Sequence, residues 1–403
     1  LFDISGMLSS WLKDLAAEQS RYGGTPSVVP AIVTGYQGPM AGWADAATVV
    51  PWTLYRVSGD LEILHRQLPS MRAWVDEVAA AAGENLLWDK GYQFGDWLDP
   101  TAPAERPEKA ATAPEIVATA YFARSARILA DSAALLGEAE MAATYTDLAD
   151  RVRDAFIAEY VTPSGRLMAD AQTAYAVALC FGLLPEAARP RAAARLAELV
   201  RASGYKIATG FLGTPLICDA LSAEGHEDVA YRLLLQREAP SWLHTVLMGA
   251  TTIWERWDSL LPDGTVNPSG MTSFNHYAFG AVADWMHRVV AGLDADAGWQ
   301  HLRIAPRPPR KGLTTAGATL RTPYGTASTS WRINDDVFTL DVHVPVGARA
   351  TVTLPSGEVH EVGHGEHSFT EPFETESTER PQLTLDTPMG VLSEVKEAMA
   401  LLT

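Results

Sequence analysis

Four segments of the sequence hold residues that could do chemistry. The densest is GATTIWERWDS, residues 249–259, where Glu255 stands between Trp254 and Trp257 with Arg256 and Asp258 beside it. A carboxylate held between two indoles loses water, which favours its protonated form, and a neighbouring guanidinium opposes that. Glu255 is therefore a candidate acid or base. The competing reading is an ion pair between Glu255 and Arg256 at a helix end. In GYQFGDWLDPTAP, residues 91–103, Asp96 and Asp99 bracket Trp97 in a Gly/Pro-rich loop. Such carboxylates either face a ligand or bind backbone amides in turns. In GPMAGWADAATVVPW, Trp43 precedes Asp45, which is either a ligand-facing acid or a helix N-cap. In SGMTSFNHYAFG, Asn275 and His276 follow a Gly-bearing turn, and the His is either a pocket residue or a satisfied structural one.

These are carboxylates, indoles and one imidazole spread over four segments. Aromatic faces beside carboxylates suit carbohydrate, because sugar C–H faces pack on rings while hydroxyls bond to charged groups. Hydrolysis of a glycosidic bond needs one acid for the leaving oxygen and one base to activate water or attack. In the inverting case the two carboxyls stand roughly 6.5–9.5 Å apart. Nothing competes with this inventory. The sequence has no HExxH, no Walker pattern, no strand–GxGxxG–helix unit and no GxSxG elbow. No metal or cofactor is implied.

Bulk composition agrees. The 403 residues carry a net charge of −18, which repels phosphate backbones and argues against a nucleic-acid partner while leaving a neutral sugar unpenalised. No apolar run reaches the length of a membrane span, so no membrane partner is expected. The first residues lack the basic flank and apolar core of a signal peptide, which favours the cytoplasm, and the chain opens at Leu1 without Met. Twelve tryptophans are many, and several sit beside Gly or acidic residues. Cys180 and Cys218 lie in apolar surroundings and read as two buried thiols.

The elements that must position these residues are mostly helices. Apolar spacing of three and four predicts about ten or eleven helices over residues 1–293, most of them in antiparallel pairs. Asp60 is placed to cap one of them and Gly83 to end it. Paired helices in this number predict a closed toroid of inner and outer helices. A complete one has twelve, and the deficit is most easily placed before Leu1. From about residue 294 the pattern changes to short alternating runs such as GTASTSWRI and VFTLDVHVP, which predict a compact antiparallel sandwich over 294–373. Residues 374–403 read as a tail with a closing helix. The fold class expected is thus mainly α: an (α/α)6 toroid, N-terminally incomplete, followed by a small β-sandwich.

The segments AGWADAATVVPWTLYRVSGD, YQFGDWLDP, TAYFARSARILA, GFLGTPLICDALSAEGH, PSWLHTVLMGATTIWERWDS and SFNHYAFGAVADWMHRVVAGL, in this order, closely resemble the bacterial α-L-rhamnosidases of glycoside hydrolase family 78. The resemblance runs to about residue 350. It implies an (α/α)6 catalytic barrel with a C-terminal β-sandwich and an inverting reaction on terminal α-L-rhamnose. It implies that Glu255 is the general base and that Trp43, Trp97 and His276 line the sugar pocket, with Asp45, Asp96, Trp254 and Asn275 as further pocket residues. The family's general acid is a glutamate in a DCPTREKLGWTGDA-type segment, which these 403 residues do not contain. The resemblance therefore implies a fragment holding the base and part of the pocket. Two other readings stand beside it: a different (α/α)6 carbohydrate-active enzyme, such as a glucoamylase-like hydrolase or a polysaccharide lyase, and a non-catalytic sugar-binding fragment. The expected partner is a rhamnose-containing glycoside or polysaccharide. Oligomeric state is not legible.

Overall fold

The computed structural model describes residues 2–32, 35–103 and 105–376. From residue 377 on, the expected tail and closing helix lie outside the described residues. The first element, α1 (Ser5–Tyr22), leads into α2 (Ala46–Ser58) and α3 (Leu61–Ala82). The expected caps of α3 are present. Asp60 accepts from the Glu62 amide at 2.9 Å, and Gly83 follows the helix at a φ of 72°. Then come the hairpins α4 (Pro114–Leu135) with α5 (Ala139–Tyr160), α6 (Gln172–Cys180) with α7 (Arg189–Ala202), and α8 (Thr214–Ala223) with α9 (Glu227–Leu234). The short α10 (Trp242–Leu247) is followed by a long irregular stretch. A helical segment then closes the series, with a 3-10 turn at Tyr277–Ala281, α11 (Val282–Trp285) and a π turn at Met286–Val290.

Burial explains which helices lie inside. Helix α6 is buried at every position except its last, and α4 is buried on nearly all sides, consistent with its Ala-rich sequence. Helix α5 buries only Tyr145, Ala149, Val152, Phe156 and Tyr160, a single stripe at three- and four-residue spacing. The inner helices α2, α4, α6 and α8 and the turn at Tyr277–Ala281 touch in that order around the ring, each of the four backed by its own partner (α3, α5, α7, α9). Since the chain alternates inward and outward, the loops that precede the inner helices all open on one face. The four chemistry-bearing segments belong to those loops.

The strands form two four-stranded sheets. One has the order β1 (Leu293–Ala295), β2 (His301–Ile304), β6 (Arg349–Thr353), β7 (Val359–Val362). The other has β3 (Thr315–Thr322), β4 (Gly325–Asn334), β5 (Val337–Val344), β8 (Gly365–Pro372). Pairing is antiparallel apart from β2 with β6, which run parallel because the chain builds three strands of the other sheet between them. Ala327, Thr329, Trp331 and Ile333 alternate inward along β4. The Trp331 indole donates to the Val290 carbonyl oxygen at 2.7 Å, and the Thr329 hydroxyl to Ala291 O at 2.8 Å. These bonds join the sandwich to the last helical turn, and one apolar core runs through both. Cys218 is buried as expected. Cys180, the last residue of α6, is an exposed residue instead, at the helix end, with its Sγ donating to the Leu216 carbonyl oxygen of α8 at 3.5 Å.

Candidate active site

The GATTIWERWDS segment is not helical: residues 249–259 run through bends and turns. It is held by the SFNHYA segment beside it. The Glu255 amide donates to Ser273 O at 2.8 Å, the His276 amide to Ile253 O at 2.9 Å, and the Thr252 hydroxyl to Phe274 O. This short ladder sets Glu255, Asn275 and His276 on neighbouring stretches of backbone. The Glu255 carboxylate is half-buried, and its Oε2 accepts from the Ser273 amide at 3.1 Å.

The ion-pair reading of Glu255 with Arg256 does not hold. Arg256 turns the other way, donating through Nε and Nη2 to both oxygens of Asp258 at 2.9 and 3.1 Å and through Nη1 to Ser269 Oγ at 3.0 Å. Asn267 also donates to Asp258, at 2.9 Å to its carboxylate. Arg256 and Asp258 thus tie the loop to itself and leave the Glu255 carboxylate without a cation among the described residues. A bidentate guanidinium–carboxylate pair has the better geometry, so Asp258 takes it.

The other wall is aromatic. Trp43 and Trp97 are both half-buried and meet through Phe94, at ring-centre distances of 4.7 and 5.3 Å. Phe211 joins this wall to the Glu255 side. Its amide donates to Trp97 O at 2.9 Å, while its ring lies over the His276 imidazole at 4.8 Å and 30°. Phe94 and Phe211 join the expected residues here without having been expected themselves. Both stand next to glycine in segments already singled out, GYQFGDW and GFLGT, and an aromatic beside a glycine turn was the signal available.

Three of the residues expected to line a pocket are buried. Asp45 is 1% exposed. Its Oδ1 accepts from the Trp74 indole at 3.0 Å and from the Ser125 hydroxyl at 2.5 Å, and its Oδ2 from the Gly42 amide at 2.7 Å. It therefore ties the start of α2 to α3 and α4, and its side chain does not cap α2. Burial raises its pKa, against the three donors and the Arg124 charge. Asp96 is fully buried and accepts four bonds: Thr173 Oγ1 at 2.5 Å, and the amides of Gly210, Leu212 and Gly213 at 2.7, 3.0 and 2.9 Å. Burial pushes its pKa up to about 6, assisted by Asp99 and opposed by Thr173, Gly210 and Gly213. Trp254 is 5% exposed and packs edge-on against Phe274. A side chain with both oxygens taken, or enclosed in packing, supports the wall from behind. Asp99 follows its turn reading, accepting from the Thr101 amide and hydroxyl at 2.8 Å and from the Ala111 amide at 2.9 Å. Asn275 is exposed.

Asp96 clamps the Gly210–Gly213 loop, and glycine permits the clamp. A Cβ on Gly210 would overlap the carbonyl oxygens of Asp96 and Trp97, and one on Gly213 would overlap Thr173 Oγ1. Phe211 is held from both sides in consequence. His276 Nδ1 and the Trp257 indole N–H are shut off from solvent without a partner among the described residues, a cost typical of about 1–3 kcal/mol each. No helix among the described residues is long and apolar enough to cross a membrane.

Residues 1–290 match the model of the bacterial α-L-rhamnosidase six-hairpin glycosidase domain, and residues 292–369 match that of the bacterial α-L-rhamnosidase C-terminal domain. An α-L-rhamnosidase of Streptomyces avermitilis is 41% identical over 363 residues, covering 90% of this chain and 34% of that protein. One of Formosa agariphila is 36% identical over 372 residues, covering 91% and 39%. Among solved structures, the native α-L-rhamnosidase of Aspergillus terreus superposes with a TM-score of 0.89 at 39% identity, covering 92% of this chain and 44% of that one. The Streptomyces avermitilis α-L-rhamnosidase complexed with L-rhamnose superposes with a TM-score of 0.84 at 39% identity, covering 92% and 36%. This chain thus spans between a third and a half of the length of these relatives. With its ring of inner and outer helices and the two-sheet domain that follows, the chain belongs to the bacterial α-L-rhamnosidase family.

Proposed function

We propose that this chain forms the part of an α-L-rhamnosidase that carries the general base, and that the whole protein releases terminal α-L-rhamnose from rhamnose-containing glycosides with inversion. The observation that carries this reading is the placement of Glu255 in a chain of this family. The carboxylate is fixed by the Ser273 amide, free of the guanidinium next to it, and set on the same short ladder as His276. In the proposed reaction Glu255 takes a proton from a water molecule, and that water attacks the anomeric carbon on the face opposite the leaving oxygen. Trp43, Trp97 and His276 line the pocket with Phe94 and Phe211, and Asn275 stands at its rim. Asp45, Asp96 and Trp254 act from beneath it. The proton for the leaving oxygen comes, in this proposal, from the glutamate of the DCPTREKLGWTGDA-type segment.

An aryl α-L-rhamnoside tests the proposal. The 403-residue chain is compared with a version extended N-terminally by the upstream coding sequence. The extended protein is expected to release the aglycone, with β-L-rhamnose as the first sugar product by NMR. Cleavage of another aryl glycoside in its place overturns the substrate, and α-L-rhamnose as first product overturns inversion.

A further inference from the structure

A second cleft lies far from this site. Helix α2 carries Asp45 at its start and Trp52, Tyr55 and Arg56 in its second half, so Tyr55 stands roughly 15 Å along the axis from Asp45. Positions 52, 55 and 56 share one face of the helix. Facing them is Asp131 of α4, and the third side is made by Asp296 and Arg303 around the turn between β1 and β2. The cleft is shallow and open to solvent, with a volume of about 540 Å³.

Its chemistry is mixed in a specific way. Trp52 and Tyr55 are half-buried and lie 5.6 Å apart at 45°, forming an angled aromatic floor. Two of the charged groups are already engaged. Asp296 accepts from His301 Nδ1 at 2.8 Å, and Arg303 donates to Asp294 at 2.8 Å. The other two, Arg56 and Asp131, are exposed, and each feels one opposite charge, Asp131 that of Arg127 and Arg56 that of Asp296. Two arginines and two aspartates cancel, so neither a polyanion nor a polycation is favoured. An aromatic floor with a solvent-exposed guanidinium and a solvent-exposed carboxylate at its edge fits a neutral ligand with an apolar face and adjacent hydroxyls.

The cleft is also built in place. The Gly298 amide donates to the Arg56 carbonyl oxygen at 3.3 Å, and Gly59 and Gly298 approach so closely that a Cβ on Gly59 would stand 3.0 Å from Gly298 Cα. Both glycines have positive φ, 72° and 84°. The end of α2 and the β1–β2 turn are thereby locked together, which fixes two of the three walls before any ligand arrives.

We propose that this cleft is a second carbohydrate site. It takes a neutral oligosaccharide, stacking a sugar face on Trp52 and Tyr55 and bonding adjacent hydroxyls to Arg56 and Asp131. It rests on the glycosidase reading only for the class of ligand. Such a site would hold a glycan on the toroid while its end is processed elsewhere.

The test is calorimetric titration of the 403-residue chain with neutral L-rhamnan, xylan and mannan oligosaccharides. At least one is expected to bind. Trp52→Ala and Arg56→Ala should each weaken that binding by about tenfold, the loss of one ring or charged contact, and His276→Ala should leave it in place. Arg56 is exposed, so its variant remains informative if Trp52→Ala does not fold. In the extended protein, Arg56→Ala should cleave an aryl α-L-rhamnoside at the wild-type rate. Failure of all three glycans to bind, wild-type affinity in the Arg56 variant, or loss of all binding in His276→Ala overturns the second site. Aryl-rhamnoside cleavage decides the active-site proposal separately.

Discussion

Glu255 and Ser273 hold each other by two bonds: the Glu255 amide donates to Ser273 O at 2.8 Å, and the Ser273 amide donates to Glu255 Oε2 at 3.1 Å. The first bond fixes the backbone and the second fixes the carboxylate. Oε1 is left for a water molecule in the proposed reaction. A glutamine in this position keeps a carbonyl oxygen for the Ser273 amide but has no basic oxygen. Glu255→Gln in the extended protein should therefore fold normally and lose at least about 100-fold in kcat with little change in KM, the usual size of an acid–base effect. Aryl-rhamnoside kinetics give the answer, and near-normal kcat removes Glu255 from the role of base.

Phe211 covers the His276 ring and takes its position from Trp97 O. Phe211→Ala keeps the backbone bond and deletes the cover. L-rhamnose titrated against tryptophan fluorescence should bind about tenfold more weakly to the variant, with Phe211→Tyr close to wild type. Unchanged affinity in the alanine variant would place the sugar away from this wall.

Gly210 lies against the carbonyl oxygens of Asp96 and Trp97 with no room for a methyl group. Gly210→Ala must displace the clamp, and a loss of about 1–3 kcal/mol in urea unfolding is expected, as for overpacking in a well-packed interior. Gly6 in α1 is the control, since a Cβ there would meet nothing within 4 Å. Gly6→Ala should be neutral or stabilising by up to about 1 kcal/mol. Equal effects at the two positions would refute the clamp.

Asp96 titrates near pH 6 when folded, against an ordinary value of 3.8. The folded protein then holds this proton more tightly than the unfolded chain. The contribution to stability is complete below about pH 4 and is lost as pH rises through about 6. The slope of unfolding free energy against pH over that window should be less negative in Asp96→Asn than in the wild type. Asn has one oxygen for four donors, so the variant should also be less stable at every pH. Parallel slopes in the two proteins would show that Asp96 does not titrate there.

The architecture was readable because both periodicities are strong. Five stripe positions of α5 and four inward positions of β4 repeat as the two elements require. Glu255, His276, Trp43 and Trp97 stood out through unusual neighbours in glycine-bearing loops. Asp45 and Asp96 stood out for the same reason, yet they lie under the surface. Nothing local separates an acid that faces a pocket from one that supports it. The partners of Asp96 lie up to 117 residues away, and those of Asp45 up to 80.

The order of helices and strands, the acidic charge and the composition of the four loops belong to the sequence alone, since spacing and residue type set them. Tertiary structure decided which way each side chain in those loops turns. Arg256 could have paired with the glutamate before it or the aspartate two residues on, and the folded loop supplies Asn267 and Ser269 on the Asp258 side. Side-chain direction in irregular backbone follows the partners that folding brings near, and for Glu255 that partner is the Ser273 amide.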